Sequence, residues 1–157
     1  GTREVHIAGV TPHPNARWMI QIARNVTMAD WGFLKPGQYL IHDRDGKFCP
    51  AFQHIIDASG MKRVPFPPRS PDLNAYAERW VRSVKEEALS QLILFGERAL
   101  RHALTEYVTH YHEEHPHQGK GNVIRMPSPR HRTEREGPIR RRERLGGLLK
   151  YYNREAA

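Results

Sequence analysis

Short extended runs alternate with amphipathic helical stretches along most of the chain, and this alternation limits the fold more than any other feature. Val5–Val10 is rich in β-branched residues and closes at Thr11-Pro12-His13-Pro14, which predicts a strand. A helix is predicted from about Asn15, because Met19, Ile22, Ala23 and Val26 recur at the spacing of one buried helical face; Lys35-Pro36-Gly37 breaks it. Tyr39–His42 predicts a second strand, and Phe52, Ile55 and Ile56 a helix that stops at Gly60. Met61–Phe66 predicts a third strand. Ser70-Pro71 is then a natural helix start, with serine as cap and proline at the first position, for a helix running to about Phe95. A second long helix after Gly96 places Leu100, Ala103, Leu104, Tyr107, Val108 and Tyr111 on one face. Beyond Pro116 the pattern dissolves into Gly, Pro and Arg, with a short strand or arm expected at Leu148–Tyr152. The order strand, helix, strand, helix, strand, helix predicts an α/β layer fold.

Charge separates the chain into two regions. The 157 residues carry a formal +8, and residues 125–157 hold ten Lys/Arg against four acids, so +6 of the total lies there. The first 124 residues are nearly balanced. This predicts a core at 1–124 followed by an Arg-rich, irregular tail at 125–157. A cationic segment of this kind suits a polyanionic partner, because each neutralised phosphate releases counterions. It would equally keep a chain soluble.

Several classes of function are excluded. Cys49 is the single cysteine, so neither an intrachain disulfide nor a thiolate zinc site can form. The longest apolar run, Leu92–Phe95, falls far short of the ~20 residues that span a bilayer, so no membrane role is expected. The sequon at Asn25-Val26-Thr27 reads as a chance match in an intracellular, cytoplasmic protein, nucleoid-associated if it works on DNA. The chain opens Gly-Thr-Arg directly before a predicted strand, and reads as a piece of something longer.

Two carboxylates stand where chemistry is expected. Asp43 closes the second predicted strand, and loops at strand carboxyl ends are where α/β sheets gather ligands. Glu78 follows after 34 intervening residues, on the helix beyond the next strand. There Ala77, Val81, Val84 and Ala88 make an apolar stripe, with Asn74, Glu78, Arg82 and Lys85 a polar one beside it. That pattern predicts that Glu78 borders the core and leans toward Asp43. Paired carboxylates suit Mg²⁺ or Mn²⁺, and two such ions ~3.5–4 Å apart can activate an attacking oxygen and stabilise a leaving one. The plainer reading has Asp43 capping a turn and Glu78 paired with Arg82 at i+4.

Three strings, in order, carry a family likeness: IHDRDGKF at 41–48, PFPPRSPDLNAYAERWVRSVKEE at 65–87 and HYHEEHPHQGKGN at 110–122. Together they resemble the integrase core of DDE transposases and retroviral-type integrases, notably the insertion-sequence transposases whose core ends in a Y-N-x-x-R-P-H-Q-G type motif. The likeness spans roughly residues 3–125. It implies a ribonuclease H-like three-layer fold that cuts and rejoins DNA strands with Mg²⁺ or Mn²⁺. It also implies mobile-element ends and target DNA as partners, and a homo-oligomer in the intact protein. By this likeness Asp43 matches the second catalytic and metal-binding aspartate and Glu78 the final glutamate. Asn74 matches an asparagine that orients the glutamate or touches the DNA backbone. The family places the acid five residues before the phenylalanine matched by Phe48, which selects Asp43 over Asp45.

The pattern is broken at one point. The family's first aspartate lies on a strand before the segment matched by Val5–Val10, and neither Glu4 nor Asp30 can supply it. The expectation is therefore a core lacking its first strand and inert alone. The alternatives are a non-catalytic DNA-binding remnant that uses the basic tail, and a nuclease of the same fold.

Other residues have weaker claims. Arg82 and Lys85 share the face of Glu78 and could meet phosphate or simply solvent. Arg140, Arg141 and Arg142 could form a DNA-contacting arm. Trp80 reads as a packing residue. His110, His112, His115 and His117 suggest a structural turn, matching the family motif at Pro116–Gly119, rather than zinc.

Overall fold

A computed structural model describes residues 4–67, 74–115 and 138–154. The chain divides into two units, His6–Ala75 and Gly1–Val5 with Tyr76–Ala157.

The His6–Ala75 unit is built around one strand–helix–strand element. Helix α1 spans Ala16–Val26, with the Asn15 side chain accepting from the Trp18 backbone N–H as N-cap. Strand β1 is Tyr39–His42, helix α2 is Pro50–Ala58 with Pro50 at its start, and strand β2 is Lys62–Pro65. β1 and β2 pair in parallel from Tyr39↔Lys62 to His42↔Pro65, which requires the crossover that α2 provides. The chain reverses after α2 at Gly60, whose φ of +79° suits glycine. Met19, Ala23, Val26, Phe52, Ile56 and Met61 form the core, so the apolar periodicities of both helices are used as the sequence predicts.

The expected first strand does not form. Residues 5–10 have no ladder partner among the described residues, and a strand without one leaves its backbone groups unpaired. The segment packs instead: His6 stacks on Phe33 at 4.4 Å, and a Cβ on Gly9 would meet Trp18 and Ile22 at 2.8 Å. α1 also ends earlier than Lys35-Pro36-Gly37, where Thr27 turns its hydroxyl back to the Ala23 carbonyl at 2.8 Å.

The second unit contains helices α3 (Ala75–Glu87) and α4 (Gly96–Glu113) and strands β3 (Ile139–Arg144) and β4 (Leu149–Arg154). α3 is shorter than predicted. It gives way at Ala88 to a 3-10 turn over Leu89–Gln91, and the start predicted at Ser70-Pro71 lies outside the described residues. Val84, Ala88, Tyr107 and Leu149 form the core, with Trp80, Leu104 and Tyr111 packed against it.

The short strand expected at Leu148–Tyr152 is present as β4, and the expectation of an irregular tail is corrected at 139–144, which forms its partner β3. β3 and β4 form an antiparallel hairpin, Ile139↔Arg154 to Arg144↔Leu149. Leu149, Tyr151 and Asn153 turn inward while Lys150, Tyr152 and Arg154 face out, an alternation that the flanking arginines hide in the sequence. The whole is a mixed helix-and-strand α/β architecture.

Candidate functional site

The turn after β1 is a compact piece of local engineering. His42 is buried, tilts against Phe48 at 4.8 Å, and places its Nδ1 2.6 Å from the Asp43 carbonyl. Phe48 in turn meets Phe52 edge-on at 5.3 Å, so the turn is plugged into the unit's core from both ends. The Asp43 Oδ1 accepts the Asp45 N–H at 3.2 Å, as an aspartate does in capping its own turn. Arg44 donates from Nε to the Phe66 carbonyl at 2.8 Å, and the Phe66 N–H donates to the His42 carbonyl at 2.9 Å. These bonds tie the carboxyl ends of both strands together and fix where Asp43 stands.

Asp43 and Asp45 have different jobs. Asp45 accepts both the Lys47 N–H at 2.9 Å and the Lys47 ammonium at 3.0 Å. Those bonds, the backbone one first, hold its carboxyl below the usual aspartate range. Asp43 keeps a looser approach to the same ammonium, 3.7 Å, with 54% of its side chain exposed. Asp45 closes the turn; Asp43 has coordination capacity to spare.

Glu78 lies in the first turn of α3, where the helix N-terminus favours a negative charge. It is exposed, which corrects the expectation that it borders the core. The physical reason is that only the carboxyl-terminal half of α3 is covered: Val84 and Ala88 are buried, whereas Ala77 and Val81 of the same predicted stripe are exposed. Among the described residues Glu78 makes no ion pair, so the expected i+4 pairing with Arg82 is not formed. Arg82 and Lys85 are exposed on the same helix, and Asn74, half-buried, stands immediately before it. Asp43 and Glu78 belong to different units.

The histidines take structural roles. Val5 donates its N–H to His112 Nε2 at 2.9 Å, His115 lies 3.7 Å from Glu87, and His110 donates from Nδ1 to Glu114 at 2.9 Å. No cluster of three metal-ligating side chains occurs among the described residues; His117 lies outside them. Trp80 packs into the second unit's core, as its sequence context suggests.

One feature escaped sequence reasoning. Glu114, whose side chain is 1% exposed, is held bidentately by Arg144, Nη2 to Oε1 at 2.8 Å and Nε to Oε2 at 3.1 Å, while Arg144 Nη1 reaches Glu106 at 3.0 Å. Burial pushes the Glu114 carboxyl up, but the bonds from Arg144 and His110 outweigh it and hold it below the ordinary glutamate range. Those same carboxylates raise the Arg144 guanidinium, Glu114 most. The available signal was Glu106, His110 and Glu114 at i, i+4 and i+8, a polar row running along α4 to its C-cap beside the apolar one.

Residues 59–124 match the integrase core domain. The match is consistent with the core of a DDE transposase or integrase. Asp43 lies upstream of the matched integrase-core segment, and the hairpin downstream of it. No curated protein matches the chain. Among the described residues no helix is long and apolar enough to cross a membrane.

Proposed function

We propose that this chain is part of a DDE-type transposase or integrase core that carries out metal-dependent phosphoryl transfer on DNA, with Asp43 and Glu78 as its metal-binding carboxylates. The observation that carries the reading is the integrase-core match over 59–124, which contains Glu78 in an exposed helix turn. Asp43, at the carboxyl end of β1 and less engaged than Asp45, is the natural second ligand.

The donor set fits a hard divalent cation in kind but not in number. Carboxylate oxygens suit Mg²⁺ or Mn²⁺, yet no three-donor cluster occurs among the described residues. A two-carboxylate set binds weakly, and no catalytic step is assigned to this chain by itself. In a complete site the ions would activate water or a DNA 3′-hydroxyl for in-line attack, cleaving and then joining strands. What this chain would contribute is position: β1 and its plugged turn hold Asp43, and α3 presents Glu78. Asn74, Arg82 and Lys85 would contact the DNA backbone near Glu78, with Arg140, Arg141 and Arg142 as further cations. The intact protein would act as a homo-oligomer on element ends and target DNA.

The test is to graft an upstream strand carrying an aspartate onto this chain and assay nicking and strand joining with Mn²⁺. Nicking is expected to appear and to be lost in Asp43→Ala and in Glu78→Ala. Activity that survives either substitution contradicts the assignment. Cutting without joining would mark a nuclease, and DNA binding without cutting a non-catalytic remnant.

A further inference from the structure

The three arginines 140–142 are split by the hairpin. Because β3 alternates, Arg140, Arg142 and Arg144 pair with the inward residues Asn153, Tyr151 and Leu149, and only Arg141 joins the outward face. That face carries Ile139, Arg141 and Glu143 on β3 against Arg154, Tyr152 and Lys150 on β4. It holds three cations and one acid. The acid, Glu143, is engaged by Arg141 at 3.0 Å. In the centre, directly across from Arg141, Tyr152 is 57% exposed.

This face cannot relax by turning the ring inward. A slip of one residue would expose Leu149 and Tyr151, which are buried at 5% and 8%, and bury Lys150 and Arg154 instead. Arg144, clasped by Glu114 and Glu106, pins the register at the turn. Lys150, Tyr152 and Arg154 therefore stand in a fixed row, cation–ring–cation, with side chains about 6.6 Å apart along the strand. Flanking cations with an exposed ring between them are the two components of a single-strand grip: charge follows the phosphates while the aromatic face accepts a base. A duplex offers only the first half of that interaction, since its bases are already stacked.

We propose that the outward face of the β3–β4 hairpin binds single-stranded DNA, stacking an unpaired base on Tyr152 between Lys150 and Arg154, with Arg141 on the backbone. The inference rests on the reading that the chain handles DNA, but involves neither carboxylate. It gives the hairpin a purpose for which strand transfer has a need, because cut ends present unpaired nucleotides.

The test measures fluorescence anisotropy of a labelled 15-mer oligo-dT and of a blunt duplex of equal length, with the full chain in EDTA. Without metal, failure here leaves the carboxylate reading untouched, and loss of that reading leaves this binding in place. Tyr152→Ala is expected to weaken single-strand affinity about tenfold and duplex affinity less than twofold. Tyr152→Phe, which keeps the ring, should stay near the parent value. Tyr152→Thr, which keeps strand propensity without the ring, should match the alanine variant and guards against a folding artefact. Lys150→Ala should weaken both DNAs and flatten the salt dependence. Equal single-strand affinity in the parent and the alanine and threonine variants, or a parent that prefers duplex, overturns the proposal.

Discussion

Arg144 is the side chain on which the second unit most depends. It satisfies both oxygens of a carboxylate that is almost fully buried, and reaches a second carboxylate, Glu106, about two turns back along α4. Removing one partner of such a pair leaves an uncompensated buried charge, so Arg144→Ala should cost about 3–5 kcal/mol, read from urea unfolding. The pH dependence follows from the direction of the Glu114 shift. Its folded pKa lies below the unfolded value, so its contribution is present above the ordinary glutamate range of about 4.3 and is lost as pH falls through the folded value. Stability of this unit should drop below about pH 4, and Glu114→Gln should flatten that acid limb. An acid limb unchanged by Glu114→Gln would show that the clasp contributes nothing. The polar row of Glu106, His110 and Glu114 is visible as a spacing, but its partner is not: Glu114 and Arg144 are 30 residues apart, and only folding brings them together.

At the scale of elements, the motif after β1 shows what a local string can and cannot say. IHDRDGKF reads as strand end plus turn because His42 and Phe48 have core to fill and Asp45 has Lys47 to hold. Those are neighbours in sequence, and the strand ends at His42 with a turn after it as expected. Both helices of the first unit were legible for the same reason, since Met19, Ala23, Val26, Phe52 and Ile56 repeat with helical period and are buried. Val5–Val10 misled because β-branched composition signals extended backbone, whereas a strand also needs a neighbour. The amino-terminal stripe of α3 misled in the same way: periodicity names a face but not what covers it. β3 was hidden because residues 140–144 are all charged, which erases the period-two pattern, whereas β4 falls on the short strand expected at Leu148–Tyr152. One element-level prediction is sharp. Gly60 has φ +79°, and a Cβ there would lie 3.3 Å from the Pro36 Cβ. Gly60→Ala should destabilise the first unit by about 1–2 kcal/mol, measured by thermal unfolding, with the Asp43 turn otherwise intact.

Taken as a whole, the chain joins the segment that matches the integrase core domain, 59–124, to two flanks that the match does not cover. Upstream, β1 and its turn present Asp43; downstream, the hairpin is bolted by Arg144 to α4 and its C-cap. The basic surplus of residues 125–157 is therefore not all one solvated tail: over 138–154 it is built on a sheet with an inside and an outside. The central claim concerns Asp43 and Glu78, which lie in separate units. It is tested most directly by titrating the chain with Mn²⁺ and following water-proton relaxation. If one ion site uses both side chains, Asp43→Asn and Glu78→Gln should each abolish the weak saturable signal, the double variant should lose no more than either single one, and Asp45→Asn should leave it unchanged. Losses from the two substitutions that simply add, or a signal that depends on Asp45 instead, would contradict the account.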